Sequence, residues 1–253
     1  MVRGESVLTR AVRILESFRP GEATLRVSDI AARADLHLAT ASRLVAELVE
    51  HGLLSRDADR RVRIGIRLWE LGSRASPALG LREAAMPFLE DLHAVVGQHV
   101  QIGVLDGEDV LFIERLSAPG AVINYTRIAG RLPLHASSSG QVLLAHAPRE
   151  LQEKVLAAPM RRFTANTITT AERLRATLAA VRREGYALCP GHLHERALGV
   201  AVPVADPRGR VIATLSAIVP IEDNARAVIP VLMTAALGTT RSLTSRGLPT
   251  TTG

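Results

Sequence analysis

Val27-Ser28-Asp29-Ile30-Ala31-Ala32-Arg33-Ala34-Asp35-Leu36-His37-Leu38-Ala39-Thr40-Ala41-Ser42-Arg43-Leu44-Val45-Ala46-Glu47-Leu48 is the stretch that decides the fold of the first part of the chain. Ser28 is an N-cap residue type, and a helix is expected to run from it through Arg33. Ala34-Asp35-Leu36 then reads as a tight turn, with Asp35 where the backbone wants a left-handed residue, which Asp tolerates better than most. A second helix is expected from about Leu38 to His51, stopped by Gly52. Leu38, Ala41, Leu44, Val45 and Leu48 form its apolar stripe, while Ala39, Thr40, Ser42 and Arg43 sit on the other face near its start. Two short helices joined by a short turn make a helix-turn-helix, whose second helix offers its first residues to base edges and phosphates.

The flanks agree. Upstream, Val7, Leu8, Ala11, Val12, Ile14, Leu15 and Phe18 recur at helical spacing, so a helix with one buried face is expected over Ser6–Phe18, stopped by Pro20-Gly21. Downstream, Leu53-Leu54 and Val62-Arg63-Ile64 read as two strands of a hairpin. From Ser55 to Arg67 there are five arginines (56, 60, 61, 63, 67) against Asp57 and Asp59, a tip suited to a phosphate backbone or a minor groove. An amphipathic helix pair alone is common, and exposed arginines are usually a solvated face. Three helices, a short turn and a basic hairpin in this order favour DNA binding. The candidate contacts are Arg10, Ser28, Leu38, Ala39, Thr40, Ser42, Arg43, Arg56, Arg60 and Arg61.

At 253 residues and 47% hydrophobic, the chain is long enough for two domains with real cores. Its net charge of +6 suits an anionic partner, but the excess is split evenly, +3 over residues 1–80 and +3 over 81–253. No apolar run reaches the roughly 20 residues of a membrane span, and the first residues do not read as a signal peptide. The single cysteine, Cys189, excludes an internal disulfide. A soluble cytoplasmic protein is expected.

The sequence resembles the IclR family of bacterial transcriptional regulators over nearly its whole length. The resemblance rests on Ser6-Val7-Leu8-Thr9-Arg10-Ala11-Val12-Arg13-Ile14-Leu15, Val27-Ser28-Asp29-Ile30-Ala31, Thr40-Ala41-Ser42-Arg43-Leu44 and Gly65-Ile66-Arg67-Leu68-Trp69-Glu70-Leu71-Gly72. Further on it rests on Leu105-Asp106-Gly107, Arg131-Leu132-Pro133-Leu134-His135-Ala136-Ser137-Ser138-Ser139-Gly140, Arg162-Phe163-Thr164, Thr167-Ile168-Thr169, Glu184-Gly185-Tyr186-Ala187 and Leu215-Ser216. Two departures concern the DNA-reading part. The turn commonly carries Gly where Asp35 stands, and the recognition helix commonly opens Pro-Lys-Ser-Thr where this chain has His37-Leu38-Ala39-Thr40.

In the second half, Trp69, Leu71 and their neighbours read as a linker helix extending toward Pro77, followed by a helix from about Arg82 to Val96 perturbed at Pro87. Strands are expected over 100–105, 110–115, 200–204 and 211–216, and helices over 139–147, 149–157, 171–184 and 225–245. The expected class is α+β: residues 4–66 a winged helix-turn-helix domain, 67–81 a linker helix, 82–248 an effector domain with an antiparallel sheet. The resemblance implies a GAF-like fold for that domain and an effector pocket formed by Ser137, Ser138, Ser139, Cys189, Gly199, Ser216 and Ile218. The serine run has its own physical case, since a helix start offers free N–H groups and hydroxyls to an acceptor; a plain capping role for Ser137 or Ser138 is the competing reading. The family often has two or three acids after Gly-Tyr-Ala, where this chain reads Cys189-Pro190-Gly191-His192-Leu193-His194-Glu195-Arg196. Fewer charged anchors favour a larger, less polar ligand over a small dicarboxylate.

Two rivals remain weaker. Cys189 with His192 or His194 has nucleophile-and-base chemistry, but no orienting carboxylate stands out except Glu195 and no Gly-x-Ser-x-Gly elbow occurs. The same three residues have zinc-ligand chemistry, but no second cluster accompanies them. The expectation is therefore a non-enzyme with no catalytic residues, no cofactor and no metal. Its partners are a palindromic double-stranded DNA operator, a small-molecule effector and further copies of itself, as dimer or tetramer, with helix 1 and the region of Trp69 the natural dimer surface.

Overall fold

The computed structural model describes residues 5–19, 21–74, 77–126, 128–223 and 225–246. The expected domain limits at Gly4 and Leu248, the helix stop at Pro20 and the Thr-rich end lie outside them. The chain divides into two compact units, Met1–Ser76 and Pro77–Gly253, taken in turn below.

The first unit holds α1 (Val7–Glu16), α2 (Val27–Arg33), α3 (Leu38–Glu50), a hairpin of β1 (Leu54–Arg56) and β2 (Val62–Ile64), and α4 (Ile66–Ser73). Ser6 caps α1, its hydroxyl accepting the Thr9 N–H at 3.0 Å. Ser28 does not cap α2. The helix starts one residue earlier, with Arg26 as its N-cap, and the Arg26 N–H donates to the Asp29 carboxylate at 3.2 Å. Asp35 takes the left-handed conformation the turn requires, with φ of 49°. Ile14, Leu25, Ile30, Ala34, Leu44, Val45, Leu48, Leu54 and Val62 form the core. Leu38, expected on the buried stripe, is 58% exposed. The apolar face of α1 is also only partly buried: Ile14 is fully enclosed, yet Leu8 is 74% exposed, and Trp69 on α4 is 68% exposed.

The second unit contains α5 (Pro77–Val96), β3 (His99–Asp106), β4 (Asp109–Leu116), β5 (Arg131–Pro133), α6 (Ser138–His146), α7 (Arg149–Ala157), α8 (Ala171–Glu184), β6 (Ala187–Pro190), β7 (Ala197–Ala205), β8 (Val211–Pro220) and α9 (Ala225–Arg246). The stretch 67–81, expected as one linker helix, holds most of α4 and the first turn of α5. α5 starts at Pro77, a position where proline loses no hydrogen bond, and runs on through Pro87.

The six strands pair antiparallel in the order β5-β4-β3-β8-β7-β6. One sheet face packs under α5 and α9, with Val100, Ile102, Val200, Val202, Leu215 and Ala217 in that core. The other face packs under α6, α7 and α8, through Val110, Phe112, Leu134, Val142, Leu144, Leu174 and Leu178. Strand register then sets out the second face. Cys189 on β6 stands opposite Gly199 on β7, Gly199 opposite Ile218 on β8, and Ile218 opposite His99 on β3. Directly opposed residues share a face, so these four form one row. In the next row of the same face, Ala201, Ser216 and Gln101 stand side by side.

Two glycines permit the close approach of α6. A Cβ at Gly140 would lie 2.5 Å from the Leu134 carbonyl oxygen, and one at Gly199 would lie 2.9 Å from the Ser138 hydroxyl. The first obstacle is backbone and cannot swing aside. Gly140→Ala is therefore expected to cost about 1–3 kcal/mol or more, as overpacking does, visible as a lower thermal midpoint and lower denaturant midpoint for the second unit.

Candidate functional site

In the first unit, α3 presents Ala39, Ser42 and Arg43 to solvent, with Leu38 exposed at its start and Thr40 half-buried. Ala39 and Ser42, small residues at i and i+3, leave a face that another backbone can approach. Arg43 is paired along the helix with Glu47 at 2.7 Å, an exposed contact that a phosphate or guanine edge can displace. The hairpin tip is built by Asp57, whose carboxylate accepts the N–H groups of Asp59 and Arg61 at 3.1 and 2.8 Å. Arg60 takes a left-handed φ of 59° at the tip and is exposed. Arg61 is not free: its guanidinium donates to the Thr24 hydroxyl at 2.9 Å and the Thr24 carbonyl at 3.3 Å, tying the hairpin to the chain before α2. Arg56 reaches the Arg60 carbonyl at 3.4 Å. Arg10 is half-buried on α1, where its side chain donates to the Ser6 carbonyl at 3.4 Å. Ser28 is exposed on the first turn of α2.

In the second unit a cavity of about 440 Å³, its mouth included, opens on the second sheet face. Ser137, Ser138, Ser139, Cys189, Gly199 and Ile218 all line it. Ser216 does not; it is fully buried behind Ser139, whose hydroxyl donates to it at 3.0 Å. The Ser137 hydroxyl accepts the Gly140 N–H at 3.0 Å and so caps α6. The N–H groups of Ser138 and Ser139, in the first turn of a helix, have no intrahelical acceptor. Phe112, Leu132, Ala136 and Ile123 supply apolar wall, and no Arg, Lys, Asp or Glu lines the cavity among the described residues.

The remaining wall was not legible as a site. Residues 117–126 cross the cavity and contribute Ile123, Asn124, Tyr125 and Thr126. This strap is tied down by polar side chains at the start of β3 and on β4. His99 contacts the Ser117 hydroxyl through Nδ1 at 2.9 Å and the Val122 carbonyl through Nε2 at 2.6 Å. Gln98 accepts the Val122 N–H at 3.0 Å, and Arg115 donates to the Thr126 carbonyl. An irregular segment carries no periodicity to announce it. Residues 187–190 were not expected as a strand either: Ala-Leu-Cys-Pro has no polar alternation, yet β6 buries Ala187 and Cys189 and turns Leu188 and Pro190 outward.

The loop after β6 has a structural assignment. Thr164 and Thr167 donate to the Gly191 and His192 carbonyls, each at 2.6 Å. Cys189 is buried, and burial pushes the pKa of its thiol far up, the reverse of what an attacking thiolate needs. Burial lowers the pKa of His192 to about 4, with the Arg173 and His135 charges acting in the same direction. Among the described residues no group of three His, Cys, Asp or Glu side chains is arranged to hold a metal, and no helix is long and apolar enough to cross a membrane.

Residues 7–58 match the IclR helix-turn-helix domain, and residues 74–243 match the family described as bacterial transcriptional regulator IclR C-terminal. The chain belongs to the IclR family. It is a helix-turn-helix transcriptional regulator with a C-terminal ligand-binding domain. The chain is similar to an IclR homologue from Microbacterium hydrocarbonoxydans, solved in complex with 4-hydroxybenzoate: 45% identity, a TM-score of 0.92, and coverage of 95% of this chain and 100% of that one. It is 34% identical over 209 residues to the HTH-type transcriptional regulator XynR of Escherichia coli, spanning 82% of this chain and 83% of XynR. To the HTH-type transcriptional regulator KdgR of Dickeya chrysanthemi it is 29% identical over 221 residues, 85% of this chain and 72% of KdgR.

The lowered pKa of His192 has a consequence for stability. Its unfolded value lies near 6.5 and its folded value near 4, so between these the unfolded chain binds more protons. The stability this neutral histidine contributes is whole above about 6.5 and is lost as the pH falls toward 4. Thermal unfolding followed from pH 7 to pH 4 is expected to show this decline, and His192→Gln is expected to flatten it.

Proposed function

We propose that the cavity of the second unit binds an aromatic carboxylate of the 4-hydroxybenzoate class and that this ligand sets the affinity of the first unit for a palindromic operator. The observation that carries the proposal is the cavity itself: the start of α6, with N–H groups that have no acceptor in the helix, lines a space that holds apolar wall and no Arg, Lys, Asp or Glu among the described residues. A helix start is an anion site in its own right, so a carboxylate can be held without a basic side chain. Phe112, Leu132 and Ile123 give the walls a surface that suits a ring. The similar Microbacterium protein was solved with such an acid, which supports this ligand class over a dicarboxylate. Ser137, Ser138, Ser139, Cys189, Gly199 and Ile218 are the proposed contacts, with Ser216 acting through Ser139.

Leu38, Ala39, Thr40, Ser42 and Arg43 are proposed to enter the major groove, with Arg56 and Arg60 following the backbone from the hairpin and Arg10 and Ser28 at its margin. Arg61 serves more to hold the hairpin than to reach DNA. The exposed apolar residues of α1 and α4, Leu8 and Trp69 among them, are proposed as the contact between two copies, since a palindrome calls for a two-fold pair. Residues 4–66, 67–81 and 82–248 then serve as reader, connection and sensor, within a protein that performs no catalysis and works in the cytoplasm.

Four outcomes are expected. In fluorescence anisotropy on the upstream region of its own gene, Arg43→Ala should weaken binding about tenfold or more, the cost of one base or charge-assisted contact. 4-Hydroxybenzoate should shift wild-type operator affinity by roughly 5- to 150-fold, the usual range of coupling. Gly199→Val, which fills the cavity beneath Ser138, should bind DNA normally and lose that response. Leu8→Asp combined with Trp69→Ser should lower the mass seen by light scattering. Operator binding untouched by the acid, together with no heat of binding, would remove this ligand class.

A further inference from the structure

Gln101 lies on β3, beside the cavity, and is 1% exposed. Which end of its amide faces the cavity follows from a chain of hydrogen bonds. The Thr126 backbone N–H, which can only donate, points at one amide atom of Asn124 at 2.9 Å, so that atom is Oδ1. The other Asn124 amide atom is then Nδ2, which can only donate, and it meets Gln101 at 3.3 Å. The Gln101 atom it meets must be Oε1. The Thr126 hydroxyl lies 2.5 Å from the same oxygen and 2.8 Å from Asn124 Oδ1, and its single proton serves one of the two. Gln101 therefore turns its acceptor to the strap, and its Nε2 has no partner among the described residues.

We infer that Gln101 is a specificity-determining residue of this cavity, its Nε2 donating to an acceptor oxygen at the end of the effector remote from Ser138. The inference rests on the cavity being the effector site. Ser138 stands over Gly199 on β7, while Gln101 is on β3. With β8 between them these strands are two spacings apart, and Gln101 also lies one row further along, beside Ser216, so the two positions are roughly 12 Å apart. That span leaves room for one ring with a carboxylate at Ser138, an oxygen at the other end and a hydrogen bond at each. A buried donor left unpaired is costly, so a ligand without an acceptor at that end is rejected. The same amide holds the strap, so it is aimed before the ligand arrives.

The test compares 4-hydroxybenzoate with 4-aminobenzoate, whose nitrogen donates well and accepts poorly. Calorimetry uses the full-length wild-type protein and the variants Gln101→Met and Asn124→Asp. Wild type is expected to prefer the hydroxy acid about tenfold or more. Gln101→Met, which removes the donor, should level the two. Asn124→Asp puts an oxygen where Nδ2 stood, so the Gln101 amide turns over and offers Oε1 to the cavity. This substitution at a residue of the strap should also close the gap, by strengthening the amino acid rather than weakening both. A wild-type ratio near one, or a preference that survives in both variants, overturns the role of Gln101 and leaves the cavity assignment standing. Wild-type protein that binds neither acid overturns the cavity assignment and this inference with it.

Discussion

The start of α6 is buried, and the first N–H groups of a helix have no acceptor within it. A sequence that buries such an end must satisfy those donors or leave them for something else. Here Ser137 satisfies the Gly140 N–H, and the N–H groups of Ser138 and Ser139 are left at the edge of a cavity. Everything around them follows from bringing that helix end down onto the sheet. Gly140 lets the chain pass against Leu134, Gly199 leaves room beneath Ser138, and the small side chains of Ser139 and Ser216 meet between the layers. The cavity is what remains when a helix end is set on a sheet whose facing row is Cys189, Gly199, Ile218 and His99.

The polar groups of this half are divided by task. His99, Gln98 and Arg115 hold the strap from the sheet, and Thr164 and Thr167 hold the loop after β6. With no Arg, Lys, Asp or Glu lining the cavity among the described residues, the helix end is the anion site at its wall. The same division accounts for the histidines after Cys189. They occupy a segment held by threonine hydroxyls, and burial keeps His192 neutral.

The sequence made the DNA-reading half legible because that half follows local rules. The turn needed a residue at positive φ, and Asp35 stood there; the stripe Ala41, Leu44, Val45 and Leu48 marked the buried side of α3. Local rules failed where burial depends on more than periodicity. The helical pattern of α1 implied one buried face, but the helix is at the outside of its unit and part of that face stays exposed. Ser28 looked like a cap by residue type, yet the backbone turned in at Arg26. In the second unit, five of the seven residues suggested by family resemblance lie at helix starts or in one strand-register row. Ser139 follows on α6, and Ser216 belongs to the next row, behind it. Gln101 could not be found from sequence, because its meaning comes from the partners that orient its amide, and those lie 23 and 25 residues away.

Both edges of the six-stranded sheet are short strands that end in proline, β5 at Pro133 and β6 at Pro190. Proline has no N–H to give a further strand, and three or four residues offer little length on which one could settle. A sheet closed off this way does not anneal to the sheet of a neighbouring chain. Copies of this protein can therefore crowd together without fusing edge to edge, and whatever brings them together must use helices and loops, contacts that form and release without rebuilding the sheet beneath the ligand.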